Sequence, residues 1–205
     1  MTLSFSRWQR VSQSLAIAPD AATFGQLQQA YRSPHRHYHT TKHILHCLSL
    51  LDDHRRWATH PAEVELALWF HDAVYDTRAT DNEAKSAAWA DHYLQQQRAS
   101  PASRQRIVSM ILSTAGHCPT VTSDARLLLD IDLSILGQEA PTFAQYDQAI
   151  RAEYVWVPLA HYCEKRRAIL QAFLERDFIY QTLPFCQRYE AVARHNLTRL
   201  LETML

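Results

Sequence analysis

Glycine is almost missing from this chain, with three in 205 residues. That scarcity argues against a turn-rich β architecture and against a Gly-rich phosphate loop, and no G-x-G-x-x-G or Walker sequence is present. The four cysteines, Cys47, Cys118, Cys163 and Cys186, stand far apart with no C-x-x-C pair. Such spacing points away from a zinc knuckle or a disulfide framework and towards reduced, mostly buried thiols in a cytoplasmic protein. No stretch approaches the roughly 18 apolar residues of a membrane span, and the N-terminus lacks a signal-peptide run, so no membrane partner is expected. There is no charge excess either. Lys plus Arg is 21 and Asp plus Glu is 21, so net charge offers no case for nucleic acid as a partner.

What the chain does have is a 47% hydrophobic content, enough for one globular core, patterned almost throughout at helical spacing. The periodicity predicts helices over residues 4–16, 20–31, from about Thr40 to Leu51, Pro61–His71, and from Thr80 to about Gln97. It predicts further ones from Pro101 to Leu112, Asp124–Leu136, Pro141–Val157, Lys165–Phe178, and about Pro184–Leu205. Thr80 and Glu83 have capping-box spacing. Alternating β-branched runs bounded by turn signals are few. The expected class is all-α, with eight to ten helices.

The chain is organised around Val64–Asp76. Pro61 suits a first helical turn, where its missing N–H costs nothing. Leu66, Ala67, Leu68, Trp69 and Phe70 leave almost no polar face, so this helix belongs in the core. Directly after them come His71 and Asp72. An ionised carboxylate withdrawn from water must be paired or bound to metal. Two readings stand side by side. A metal ion lies between the two side chains, or His71 bonds a carbonyl while Asp72 pairs with an arginine. Adjacent helical residues point about 100° apart, so one ion can serve both only if it lies between their directions or the helix loosens there.

Twelve histidines are many for this length. His39 and His43 are four apart, on one face if both are helical, and His43 borders an apolar stripe. Later, Asp130 and Asp132 interrupt the apolar run Leu127–Leu136. They face different ways, so one can enter the core as a ligand. Histidine and carboxylate together suit Mn²⁺, Fe²⁺, Co²⁺, Ni²⁺ or Zn²⁺ better than a thiolate set would. Four protein ligands on a six-coordinate ion leave room for water and a phosphate oxygen, the requirement for metal-assisted hydrolysis.

His43, then His71-Asp72, then Asp132, each in a helical setting, resembles the HD superfamily of metal-dependent phosphohydrolases, and in particular a compact bacterial subgroup of it. Asp81-Asn82-Glu83 with Ser86, then Ile111, Thr114 and His117, and a tail of Glu190, Ala193, Arg194, Asn196 and Leu197 extend the likeness over roughly residues 25–200. The resemblance implies a compact single-domain helical bundle of HD type over 1–205, with 1–24 and 160–205 as helical extensions. It implies His43, His71, Asp72 and Asp132 as ligands of a divalent metal, Mg²⁺ included, and it favours Asp132 over Asp130. A small phosphorylated molecule, with nucleotides among the candidates, is the expected substrate. Asp76 and Glu83 are candidates to position or deprotonate the attacking water beside Asp72. His117, Arg36, His39 and Lys85 are candidates for a substrate phosphate or a second metal, the arginine and histidine through charge-assisted hydrogen bonds. Glu83 also has its capping role as an alternative, His117 a helix-end role, and the basic cluster at 36–39 simple solvation. Glu190, Arg194 and Asn196 read as residues that hold the fold together. Rival readings are an inactive HD domain that senses or scaffolds, a di-iron oxygenase using extra histidines, and a purely structural helical protein. A monomer and a homodimer are both compatible with the sequence.

Overall fold

A computed structural model describes residues 3–117 and 120–204; Cys118, expected as a thiol, lies outside them. Among the described residues there are ten α-helices and no strand, and no helix is long and apolar enough to cross a membrane. The chain falls into two units, one ending at Ile131 and the other starting at Asp132. The boundary lies inside a continuous helix.

The first unit contains α1 (Phe5–Ser14), α2 (Ala21–Ala30), α3 (Thr41–His54), α4 (Pro61–Phe70), α5 (Asn82–Gln96), α6 (Pro101–Leu112) and most of α7 (Ser123–Leu133). Its centre is α4, which packs against α1, α3, α5 and α6. Pro61 occupies its first turn, and Leu66 to Phe70 are all completely buried, as expected of a helix apolar on every side. Trp69 and Phe70 meet Trp8, and Phe70 stacks on Tyr93 at 5.7 Å. Unexpectedly, α4 also buries two glutamates. Glu63 takes a two-pronged bond from Arg106, at 2.7 and 2.6 Å. Glu65 accepts from Arg7 and Arg55, each at 2.8 Å. Paired in this way, the carboxylates avoid the severe cost of a lone buried charge.

In the second unit, a 3-10 turn at Ser134–Gly137 follows α7 and leads to α8 (Ala140–Glu153), α9 (Leu159–Leu174) and α10 (Leu183–Thr203). The helix expected through Leu136 therefore ends at Leu133 and tightens. The helix expected from Lys165 begins earlier, at Leu159. Its first turn carries Leu159, Ala160 and His161, all exposed, so no apolar stripe announces it. Glu190, Arg194 and Asn196 hold turns together here. Glu190 accepts from the backbone N–H of Ile179 and Tyr180, and Arg194 donates to the carbonyls of Leu174, Arg176 and Asp177. Asn196 donates to the carbonyls of Leu136 and Gln138, at 2.9 and 2.8 Å.

Candidate metal centre

The end of α4 brings the His-Asp pair together. Regular helix stops at Phe70, and the Ala73 N–H bonds the Phe70 carbonyl at 2.9 Å, a three-residue closure tighter than an α-turn. Asp72 Oδ2 then lies 3.0 Å from His71 Nε2. His43 comes from the first turn of α3. Its Nε2 is 3.1 Å from His71 Nε2 and 3.4 Å from Asp72 Oδ2. Asp132 is delivered by α7, whose preceding residues belong to the first unit. One ligand atom from each of His43, His71, Asp72 and Asp132 lies within 4.8 Å of the others. Among the described residues this is the one group of three or more His, Cys, Asp or Glu side chains that converges in this manner.

The chemistry of the donors fits a cation. His71 Nδ1 lies 2.9 Å from the Leu68 carbonyl. That bond assigns the ring proton to Nδ1 and leaves the Nε2 lone pair facing the other ligands, the arrangement that orients histidines on metals. The carbonyl bond imagined as an alternative to metal binding is thus present, and it equips the ring for a metal. Two imidazole nitrogens and a carboxylate oxygen at 3.0–3.4 Å repel one another unless a proton or a cation sits among them. Burial pushes the Asp72 carboxyl up. When the imidazoles are protonated rather than holding a cation, the charges of His71 and His39 and hydrogen bonds from His43 and His71 outweigh it and hold the group well below the usual carboxylate range. The Cys47 thiol packs against the His43 ring, 3.7 Å from its Nε2 and 3.8 Å from its Nδ1. Asp130 is fully buried beside Asp132 and is not in the converging group.

The remaining candidates occupy varied places. His39 is at the edge of the group, its ring 5.8 Å from that of His43 and 4.3 Å from Tyr75, with Tyr38 5.0 Å from His43. Asp76 is exposed and shapes its own loop. Its carboxylate accepts from the Arg78 N–H at 2.9 Å, and its backbone exchanges bonds with the Asn82 side chain. Glu83 is half-buried in the first turn of α5. The capping box does not form, because the residue before the helix is Asp81 rather than Thr80. Lys85 is exposed and pairs with Asp81 at 2.8 Å. His117 ends a 3-10 turn, Ala115–His117, in a left-handed conformation with φ 50°. Arg36 is no surface residue. It is buried, and its guanidinium is committed to backbone carbonyls beside the His-Asp pair. Ser86 ties down the loop beyond, accepting from the Val74 N–H at 3.0 Å.

No family model, curated protein or solved structure matches this chain. The residues themselves define a helical protein with a His/Asp cluster able to hold a metal ion.

Proposed function

We propose that the chain is a metal-dependent phosphohydrolase of the HD type, cleaving a phosphoester or phosphoanhydride of a small molecule, with nucleotides among its candidate substrates. One observation carries the reading. The ordered set His43, His71-Asp72 and Asp132, separated widely in sequence, meets within 4.8 Å. A divalent cation held by these residues supplies Lewis acidity towards water and a phosphoryl oxygen. The chain's own contribution is to keep Asp72 ionised, to aim His71 Nε2 through the Leu68 carbonyl, and to line the rim with His39, Tyr38 and Tyr75. His39 is a candidate to meet a phosphate, because its ring stands at the edge of the group, 5.8 Å from that of His43. Glu83 is a better candidate than Asp76 for handling the water's proton, since the Asp76 carboxylate is committed to its own loop.

The test is elemental analysis of protein purified without chelator or nickel resin, beside Asp72→Ala prepared identically, followed by a phosphoester and nucleotide panel with Mn²⁺, Co²⁺, Ni²⁺ and Mg²⁺. About one metal per chain, lost in the variant, with turnover on the panel, supports the reading. Metal without turnover favours a binding or sensing role, and two metals with oxygen-dependent turnover favour a di-iron oxygenase. No metal after reconstitution leaves a structural helical protein.

A further inference from the structure

Arg36 lies in a polar stretch, yet it is only 6% exposed. Its Nη1 donates to two carbonyls at once, Asp72 at 2.7 Å and His39 at 3.1 Å. Its Nη2 donates to the Ala73 carbonyl at 3.0 Å. The guanidinium also lies over the rings of Tyr31 and Tyr75, at 5.0 and 5.3 Å, a placement favourable to a cation. Tyr31 completes the arrangement by donating from its hydroxyl to the Trp69 carbonyl at 3.1 Å.

These bonds fall on the turn just past Phe70, the last residue of α4. The C-terminal end of a helix attracts positive charge. The segment holding Arg36 joins α2 to α3, and Thr40, at its end, caps the first turn of α3 by accepting from Lys42 N–H. His43 is in that turn. One guanidinium therefore ties the segment that presents His43 to the turn that presents His71 and Asp72.

We propose that Arg36 is the positioning residue of this metal centre, setting the Asp72 turn and the His39 segment in register so that the ligands from α3 and α4 face one cation. The inference rests on the metal-centre reading above. A guanidinium suits the task because its planar fork spans several acceptors in a fixed geometry, whereas an ammonium is a point donor on a flexible stem.

The experiment titrates Co²⁺ into the full chain and reads both affinity and the visible absorption of the bound ion. The proteins are wild type, Arg36→Lys, Arg36→Met and Arg106→Lys. Arg106→Lys, on α6, weakens the pair with the buried Glu63 of α4 and controls for general loss of stability. Arg36→Lys is expected to bind about 10- to 100-fold more weakly, the usual cost of losing a residue that orients ligands, with an altered spectrum. Arg36→Met should bind more weakly still, and Arg106→Lys should keep wild-type affinity and spectrum. If Arg36→Met does not fold, Arg36→Lys decides. Wild-type affinity and spectrum in Arg36→Lys would overturn the proposal whatever its melting temperature, as would an equal loss in Arg106→Lys. Absence of Co²⁺ binding by the wild type would instead bring down the metal-centre reading itself, and this inference with it.

Discussion

Asp124, at the start of α7, grips His60, the residue before α4, by two bonds. Its Oδ2 accepts from the His60 backbone N–H at 3.0 Å and lies 2.9 Å from the ring Nδ1, while Oδ1 accepts from the Thr59 N–H at 2.6 Å. His60 makes no side-chain cap for α4, so the acceptor comes from another helix. The two helices start together at this clamp. At 1.5 Å per residue, α4 reaches His71 after about 16 Å and α7 reaches Asp132 after about 12 Å. Asp124→Ala strands two N–H groups and an imidazole, and is expected to cost about 2 kcal/mol or more. Asp124→Asn should cost less, because an amide oxygen still accepts. Urea denaturation of the three proteins checks the order, and an Asp124→Ala protein as stable as wild type would show that the clamp contributes nothing.

Two of the three glycines, Gly25 and Gly137, should respond oppositely to alanine. A Cβ on Gly137 would stand 2.5 Å from Tyr189 Cβ, 2.8 Å from its carbonyl oxygen and 3.0 Å from its Cα. None of these atoms can rotate away, so Gly137→Ala forces α10 off the 3-10 turn and should cost about 1–3 kcal/mol. Gly25, inside α2, has nothing within 4 Å of such a Cβ. There the methyl group only reduces the freedom of the unfolded chain, and Gly25→Ala should stabilise by up to about 1 kcal/mol. Thermal melts of both variants test the contrast, which disappears if the close approach at Tyr189 is not kept in solution.

The contrast between what was readable and what was not follows from where the partners lie. Helices were legible because apolar periodicity and first-turn prolines such as Pro61 and Pro101 are local signals. The first turn of α9 was hidden because Leu159 is exposed, and the supposed cap at Thr80 because Asn82 spends its side chain on the Asp76 loop. The pattern His43, His71-Asp72, Asp132 could be picked out as a group since ligand types are themselves rare in apolar helices. Glu63 and Glu65 gave no warning that they would be buried, because their arginine partners come from α1, α6 and the stretch after α3. Arg36 was legible as a charge and illegible as a clamp. Its acceptors are carbonyls, which every residue possesses, so nothing in the sequence marks them.

Tyr162 buries a polar atom at a cost that a single substitution can expose. Its hydroxyl is buried and has no hydrogen-bond partner among the described residues. Burial, more than the neighbouring charges, pushes the phenol up to about 12. Removing an unsatisfied buried hydroxyl sheds a desolvation penalty without breaking a bond, so Tyr162→Phe should be neutral or stabilising by up to about 1 kcal/mol. The Arg151 guanidinium, 4.7 Å from the ring centre, keeps its aromatic face in either protein. A spectrophotometric titration of wild type minus Tyr162→Phe should isolate one phenol ionising near 12, and a clear loss of stability in the variant would mean the hydroxyl has a partner in solution.

Asp72 separates loss of the metal from loss of the fold. Its carbonyl, not its carboxylate, is bound by Arg36, so Asp72→Asn leaves the turn's main support in place while removing the charge. With Mn²⁺ at a hundred times its dissociation constant, the wild type should gain about 2.7 kcal/mol. For a chain of this size that corresponds to a rise in Tm of roughly 5–11 °C, whereas Asp72→Asn should gain almost nothing. The pH dependence identifies the groups responsible. The Asp72 carboxyl is held well below its ordinary value, so its contribution is complete above the ordinary carboxylate pKa and is lost only as pH falls through the lowered one. At pH 5 it remains ionised. Histidine ligands must shed their protons to bind, and free imidazole titrates near 6.5. The Mn²⁺-dependent rise in Tm should therefore fade between about pH 7 and pH 5, while Asp72 is still charged. A rise that persisted at pH 5 would mean carboxylates alone hold the ion, and His43 and His71 would have to be removed from the ligand set.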